Sequence, residues 1–111
     1  MSNPIPVYVS VEGTVKIAGD TSPRRAGQCA FHYFERGLPV EFFCIGASAN
    51  QQAMKSMSIL REMVSAEAKY AGRFVAFVPM RYQTWAKDQV SQESKAKDCT
   101  VWKTYLVSSA S

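Results

Sequence analysis

Val7, Val9 and Val11 alternate with Tyr8 and Ser10, the two-residue period of an extended strand. Glu12-Gly13 interrupts the alternation and Thr14 to Ala18 resumes it. Two strands joined by a tight turn are expected, with Gly13 supplying the positive φ of such turns. From Pro23 to about Arg36 the spacing changes to three and four. Ala26, Cys29, Ala30, Tyr33 and Phe34 then share one helix face, with Arg24, Arg25, Gln28, His32 and Glu35 on much of the other. Ser22 suits the N-cap, Pro23 the first helical position and Gly37 the left-handed residue that closes the helix.

Pro39 to Ile45 is a nearly unbroken apolar run, as expected of a central strand. Gly46-Ala47-Ser48 turns into a second helix, where Ser48 and Gln51 stand at capping-box spacing. Its core stripe is Ala53, Met57, Leu60 and Val64, with Lys55, Ser58, Arg61 and Glu62 facing away. Arg73 to Met80 and Cys99 to Val107 are rich in β-branched and aromatic residues and predict two more strands. Between them Arg81 to Asp98 is too long for a hairpin turn and is polar from Lys87 onward, which predicts a mobile arm. The tail from Ser108 to Ser111 is expected to fray. The pattern is an α/β, two-layer β-α-β-α-β-β domain with an added N-terminal strand within residues 1–13.

At 111 residues and 47% hydrophobic composition the chain is expected to be one folded domain spanning 1–111. Cys29, Cys44 and Cys99 are an odd number without paired spacing, so neither a disulfide framework nor a zinc site is expected. The start, Met1 to Pro6, has no basic segment followed by an apolar run, and no stretch approaches membrane-spanning length. A reducing cytoplasm is the expected location, without membrane association.

The formal charge is +4. Residues 69 to 103 carry Lys69, Arg73, Arg81, Lys87, Lys95, Lys97 and Lys103 against Asp88, Glu93 and Asp98, an excess equal to that of the whole chain. Three groups are candidate contacts for an anionic polymer. Arg24-Arg25 stand at a helix start, where free N–H groups favour phosphate and cations are slightly unfavourable to the helix itself. Asn50, Gln51 and Lys55 cluster at the second helix start, as donors to phosphate or sugar. Arg81, Tyr82, Trp85, Lys87, Lys95 and Lys97 interleave cations with aromatics, which suits a nucleic acid strand. Each group has a plainer reading: solvated surface charge for Arg24-Arg25; helix capping for Gln51, with dimer or solvent contact for Asn50 and Lys55; and rings folded back on the sheet or a partner chain for the third group. His32 has no metal-ligating neighbours in sequence. Cys44 precedes a glycine turn but has no candidate base, and Trp102 and Tyr105 read as core or interface.

Ala26-Gly27, Glu35-Arg36-Gly37 and above all Ile45-Gly46-Ala47-Ser48-Ala49-Asn50-Gln51-Gln52-Ala53 resemble the Alba superfamily, closest to its stage V sporulation protein S branch. The resemblance spans about residues 14 to 107, and its specific part about forty residues. It implies a dimer that binds DNA or RNA through the backbone. It also implies that a basic pair entering the first helix, matched by Arg24-Arg25, faces the nucleic acid. A hairpin arm along the minor groove would fall at Arg81 to Asp98. The arm is longer here than in the sporulation branch, and the N-terminal extension is an addition.

The expectation is a nucleic-acid-binding homodimer of low sequence specificity, with DNA and RNA both open. The rival is a structural or regulatory assembly protein that uses the same surfaces without nucleic acid. No acid/base pair, phosphate loop or metal cluster can be assembled from the sequence, so no enzyme, cofactor, metal or small-molecule substrate is expected.

Overall fold

The computed structural model describes residues 5–87 and 94–108. The elements follow as β1 (Thr14–Ile17), α1 (Pro23–Glu35), β2 (Glu41–Cys44), α2 (Ala47–Ser65), a 3-10 turn (Ala68–Tyr70), β3 (Arg73–Lys87) and β4 (Ser94–Ser108). The sheet order is β1-β2-β4-β3, with β1 and β2 parallel and the other pairs antiparallel. Helices on one face and a four-stranded mixed sheet make the two-layer α/β architecture that the hydrophobic pattern predicts.

Helix boundaries follow from local chemistry. Ser22 Oγ accepts the backbone N–H of Arg25 at 3.3 Å, Pro23 opens α1, and Gly37 follows it at φ 75°. Helix α2 starts differently from the expected capping box. Gly46 is its N-cap at φ 87°, and no side chain caps it. Ser48 therefore lies inside the first turn, too late to cap.

Ala26, Ala30, Ala53, Met57, Leu60 and Val64 are buried with Phe42 and Val75 between the layers. The helices approach closely at Gly27, where an added Cβ would lie 2.6 Å from Ile59 Cγ2 and 3.1 Å from the Ser56 carbonyl oxygen. Cys29, expected in the core, is exposed. The small residues Ala26, Gly27 and Ala30 make the contact with α2, and that narrow seam leaves Cys29 outside.

The N-terminal segment departs from the expected hairpin. Residues 5–11 form no strand with β1. They make one parallel bridge to the edge strand β3, where Tyr8 N–H donates to Gln83 O and Gln83 N–H donates to Pro6 O, both at 2.8 Å. From there the segment passes over the open face of the sheet, and the Tyr8 ring lies 5.2 Å from Phe43 and 5.3 Å from Tyr82. Val101, paired with Phe43 on that face, is fully buried. Gly13 does turn the chain into β1, but not through a positive φ. A side chain there would collide with the Pro39 carbonyl, 1.8 Å from an ideal Cβ.

β3 and β4 are longer than the sequence pattern suggests. Their ladder continues without interruption from Arg73↔Ser108 to Lys87↔Ser94. Residues 81–87 and 94–98, expected from the resemblance to lie in a long β-hairpin arm, are strand. Tyr82, Thr84 and Trp85 have the branched or aromatic side chains that suit a pleated ladder. The remainder of that segment, residues 88–93, and residues 109–111 of the tail lie outside the described residues.

Candidate nucleic-acid interface

Parallel pairing brings the C-terminal ends of β1 and β2 together, Ile17 beside Cys44. Each strand leads into a helix, so α1 and α2 both present their N-termini at this end of the sheet. Antiparallel pairing puts Thr100 of β4 beside Cys44, and Arg81 of β3 beside Thr100. Past that point β3 and β4 leave the body as a two-stranded arm of six pairs, about 20 Å long at strand rise. The end of an α/β sheet where the strands finish and the helices begin is where such folds commonly bind ligands.

The two helix starts are held side by side. Gln52 Nε2 donates to Thr21 O at 3.0 Å, and Gly19 backs onto Ser48, whose Cβ would lie 3.1 Å from an added Cβ. Arg24 and Arg25 are exposed in the first turn of α1. Gln51 and Lys55, four residues apart on α2, are exposed on its solvent face. No ion pair among the described residues engages Arg24, Arg25, Lys55 or Lys97. The positive end of each helix adds to the field of these cations.

The arm divides its candidates between two faces. Arg81 and Trp85 share the side toward the helices. Arg81 is ion-paired there with Asp98, and Trp85 is 66% exposed. Tyr82, Lys95 and Lys97 lie on the other side, by their pairings with Cys99, Ala86 and Thr84. Tyr82 is half-buried at the root of the arm between Tyr8 and Lys103, whose Nζ is 5.5 Å from the ring centroid. Its hydrogen bond with Tyr82 raises the Lys103 ammonium above its ordinary pKa. The side chain of Lys87 lies outside the described residues. Beside the arm's root, Gly46, Pro79, Met80, Arg81, Asp98 and Thr100 line an open groove of about 250 Å³.

Much of the basic run in residues 69 to 103 is engaged within the chain. Lys69 pairs with Glu35 at 2.5 Å, Arg73 lies over Tyr70, Arg81 is tied to Asp98, and Lys103 stands 3.9 Å from Glu41. The exposed cations at the helix starts, together with Lys97, carry the basic character of this end.

Asn50 is placed differently from Gln51 and Lys55. Its amide is turned inward, donating to Gly46 O and accepting from Trp102 Nε1. Cys44 is buried and its thiol is pushed up to about 11, mainly by burial, with a hydrogen bond involving Trp102 opposing. Such a thiol stays protonated and unreactive. Among the described residues no group of His, Cys, Asp and Glu could hold a metal ion, and no helix is long and apolar enough to cross a membrane.

The polar cluster beneath the N-terminal segment was not foreseen. Glu41, 8% exposed, receives the Tyr8 hydroxyl at 2.7 Å, and the Thr14 hydroxyl lies 2.7 Å from the same phenol. Its sequence signal was a lone carboxylate inside the apolar run from Pro39 to Ile45. No protein-family model and no curated protein matches this chain.

Proposed function

We propose that this protein binds nucleic acid, DNA or RNA, chiefly through phosphates and with little sequence specificity, and that it works as a homodimer. One observation carries the reading: both helix N-termini and the β3–β4 arm emerge at the same end of the molecule. That places Arg24, Arg25, Gln51 and Lys55 at the end from which Trp85, Lys95 and Lys97 project. Phosphates would be taken by cations and free helix N–H groups, and exposed bases or sugars by the Trp85 ring. A strand-built arm is better pre-organised for this than a loop. The reading also draws on the resemblance of Ile45 to Ala53 to the Alba superfamily. Self-association is supported by Met54, 59% exposed, which lines an apolar groove with Met57, Phe77 and Trp102.

The test is a titration against duplex DNA, single-stranded DNA and RNA at several salt concentrations. Affinity should fall linearly on logarithmic axes. Changing Arg24 and Arg25 together to Ala should make the slope shallower by roughly two, since each phosphate contact contributes nearly one. Absence of binding to all three polymers at low salt would leave the assembly reading in its place.

A further inference from the structure

The side chain of Asn50 meets three groups from three parts of the fold. Nδ2 donates to Gly46 O at 2.9 Å, Trp102 Nε1 donates to Oδ1 at 3.0 Å, and Cys44 Sγ lies 3.2 Å from the same oxygen. Chemistry fixes which way the amide points, because an indole only donates and a carbonyl only accepts. Asp at this position would keep the acceptor and lose the donor; Ala would lose both.

The partners differ in what they carry. Gly46 begins α2 without any side-chain cap. Cys44 ends β2. Trp102 belongs to β4, two residues past the Cys44↔Thr100 pair from which the arm departs. One small side chain therefore joins the start of α2 to the strand that becomes the arm. Gln51 and Lys55 ride on that helix start, and Lys95 and Lys97 on that strand. Asn50 keeps at most one N–H for anything else.

We infer that Asn50 is a positioning residue: it sets the first turn of α2 relative to the arm and does not touch the nucleic acid. The inference rests on the function proposed above. A residue that orients contacts lowers affinity without changing how many phosphates are neutralised. A residue that makes a contact changes that number.

The experiment measures binding of fluorescein-labelled duplex DNA and of the matching RNA strand across a salt series. It uses the wild-type chain, Asn50→Ala, Asn50→Asp, Trp102→Phe and the Asn50→Ala/Trp102→Phe double variant. Asn50→Ala and Trp102→Phe should each weaken binding about tenfold, with the double variant little worse than either and all salt slopes equal to wild type. Asn50→Asp should fall between wild type and Asn50→Ala. In a Trp85→Phe background, Trp102 emission should move to shorter wavelength when Asn50 becomes Ala. Full affinity in Trp102→Phe, a shallower slope in Asn50→Ala, or unchanged Trp102 emission overturns the inference. If Asn50→Ala does not fold, Trp102→Phe, which leaves Asn50 in place, decides alone. A wild-type chain that binds neither probe removes the proposed function and this inference with it, which the wild-type control reveals before any variant is compared.

Discussion

The phenol of Tyr8 donates to Glu41 Oε1 at 2.7 Å, joining a residue near the N-terminus to the central strand of the sheet. A carboxylate only accepts, so the Thr14 hydroxyl must give its own proton to the Tyr8 oxygen, 2.7 Å away. Thr14 Oγ1 in turn accepts the Val11 N–H at 2.9 Å. The relay from Val11 to Glu41 holds the segment across the sheet. Tyr8→Phe should cost about 1 kcal/mol in urea denaturation near neutral pH, the usual net value of one hydrogen bond. It should also speed amide exchange at Tyr8 and Gln83. Unaltered exchange there would mean that ring packing alone holds the segment.

The same tyrosine gives a pH dependence. Burial is the main influence on its phenol, with Thr14 opposing and donation to Glu41 reinforcing, and the result is a pKa pushed up to about 12 from 10.0. A folded-state pKa above the unfolded value favours the protonated form, so this contribution is complete below pH 10 and lost as pH rises through 12. The stability gap between wild type and Tyr8→Phe should therefore shrink across that window. A gap that stays constant to pH 12 would contradict the assignment. Tyr33 and Tyr70, also raised, are common to both proteins and drop out of the difference.

Trp85 should matter to binding and not to folding. Its 66% exposure means that truncation removes little packing. A base stacked on the ring would be worth about 1–3 kcal/mol. Trp85→Ala should lose that much affinity for single-stranded RNA by fluorescence anisotropy, with the melting temperature unchanged. Equal affinity would move the contact surface off the helix-facing side of the arm.

Gly27→Ala tests the helix seam. The new methyl would lie 2.6 Å from Ile59 Cγ2 and 2.8 Å from Ile59 Cβ, and the latter cannot move without its backbone. Overpacking of this kind costs about 1–3 kcal/mol. Adding Ile59→Ala, which removes Cγ2 and keeps Cβ, should recover part of the loss in guanidinium denaturation; no recovery would place the strain at the retained Cβ and the Ser56 carbonyl.

The three cysteines should separate cleanly toward a thiol-specific reagent. Cys29 is exposed, whereas Cys44 and Cys99 are buried with thiols raised chiefly by desolvation. One thiol should react at once in the native protein and two more only on unfolding. Prompt labelling of two would show that a buried site opens readily.

The layer architecture was legible because both helices advertise their periods and the central strand its unbroken apolar run, and Ser22, Pro23 and Gly37 mark the limits of α1. Two kinds of feature were not. Val7 to Val11 alternates like a strand, yet alternation does not say which neighbour a strand takes, and the segment bridges Gln83 instead of β1. The strands of the arm were expected only through the resemblance, because cross-strand pairing, which a local pattern does not contain, turns the polar stretch around Lys95 and Lys97 into a ladder. At the candidate interface, position along the chain identified the helix starts and the arm. It did not reveal that Asn50 points inward, that Tyr82 is wedged between Tyr8 and Lys103, or that Arg81 is committed to Asp98.

Gln83 turns both backbone groups outward to meet Pro6 and Tyr8, so the residues of the same parity in β3 also face outward, Pro79 among them. Proline has no N–H to offer there. A long, bare outer edge is normally a template on which a foreign strand can add and aggregation can begin. Here Pro79 interrupts the row of donors, and the N-terminal segment occupies the next position but one. None of the three free stretches presents more than three outward donors in succession. The fold can therefore extend a two-stranded arm into solvent without inviting other chains to copy it, a protection that depends on residues 5–11 staying in place.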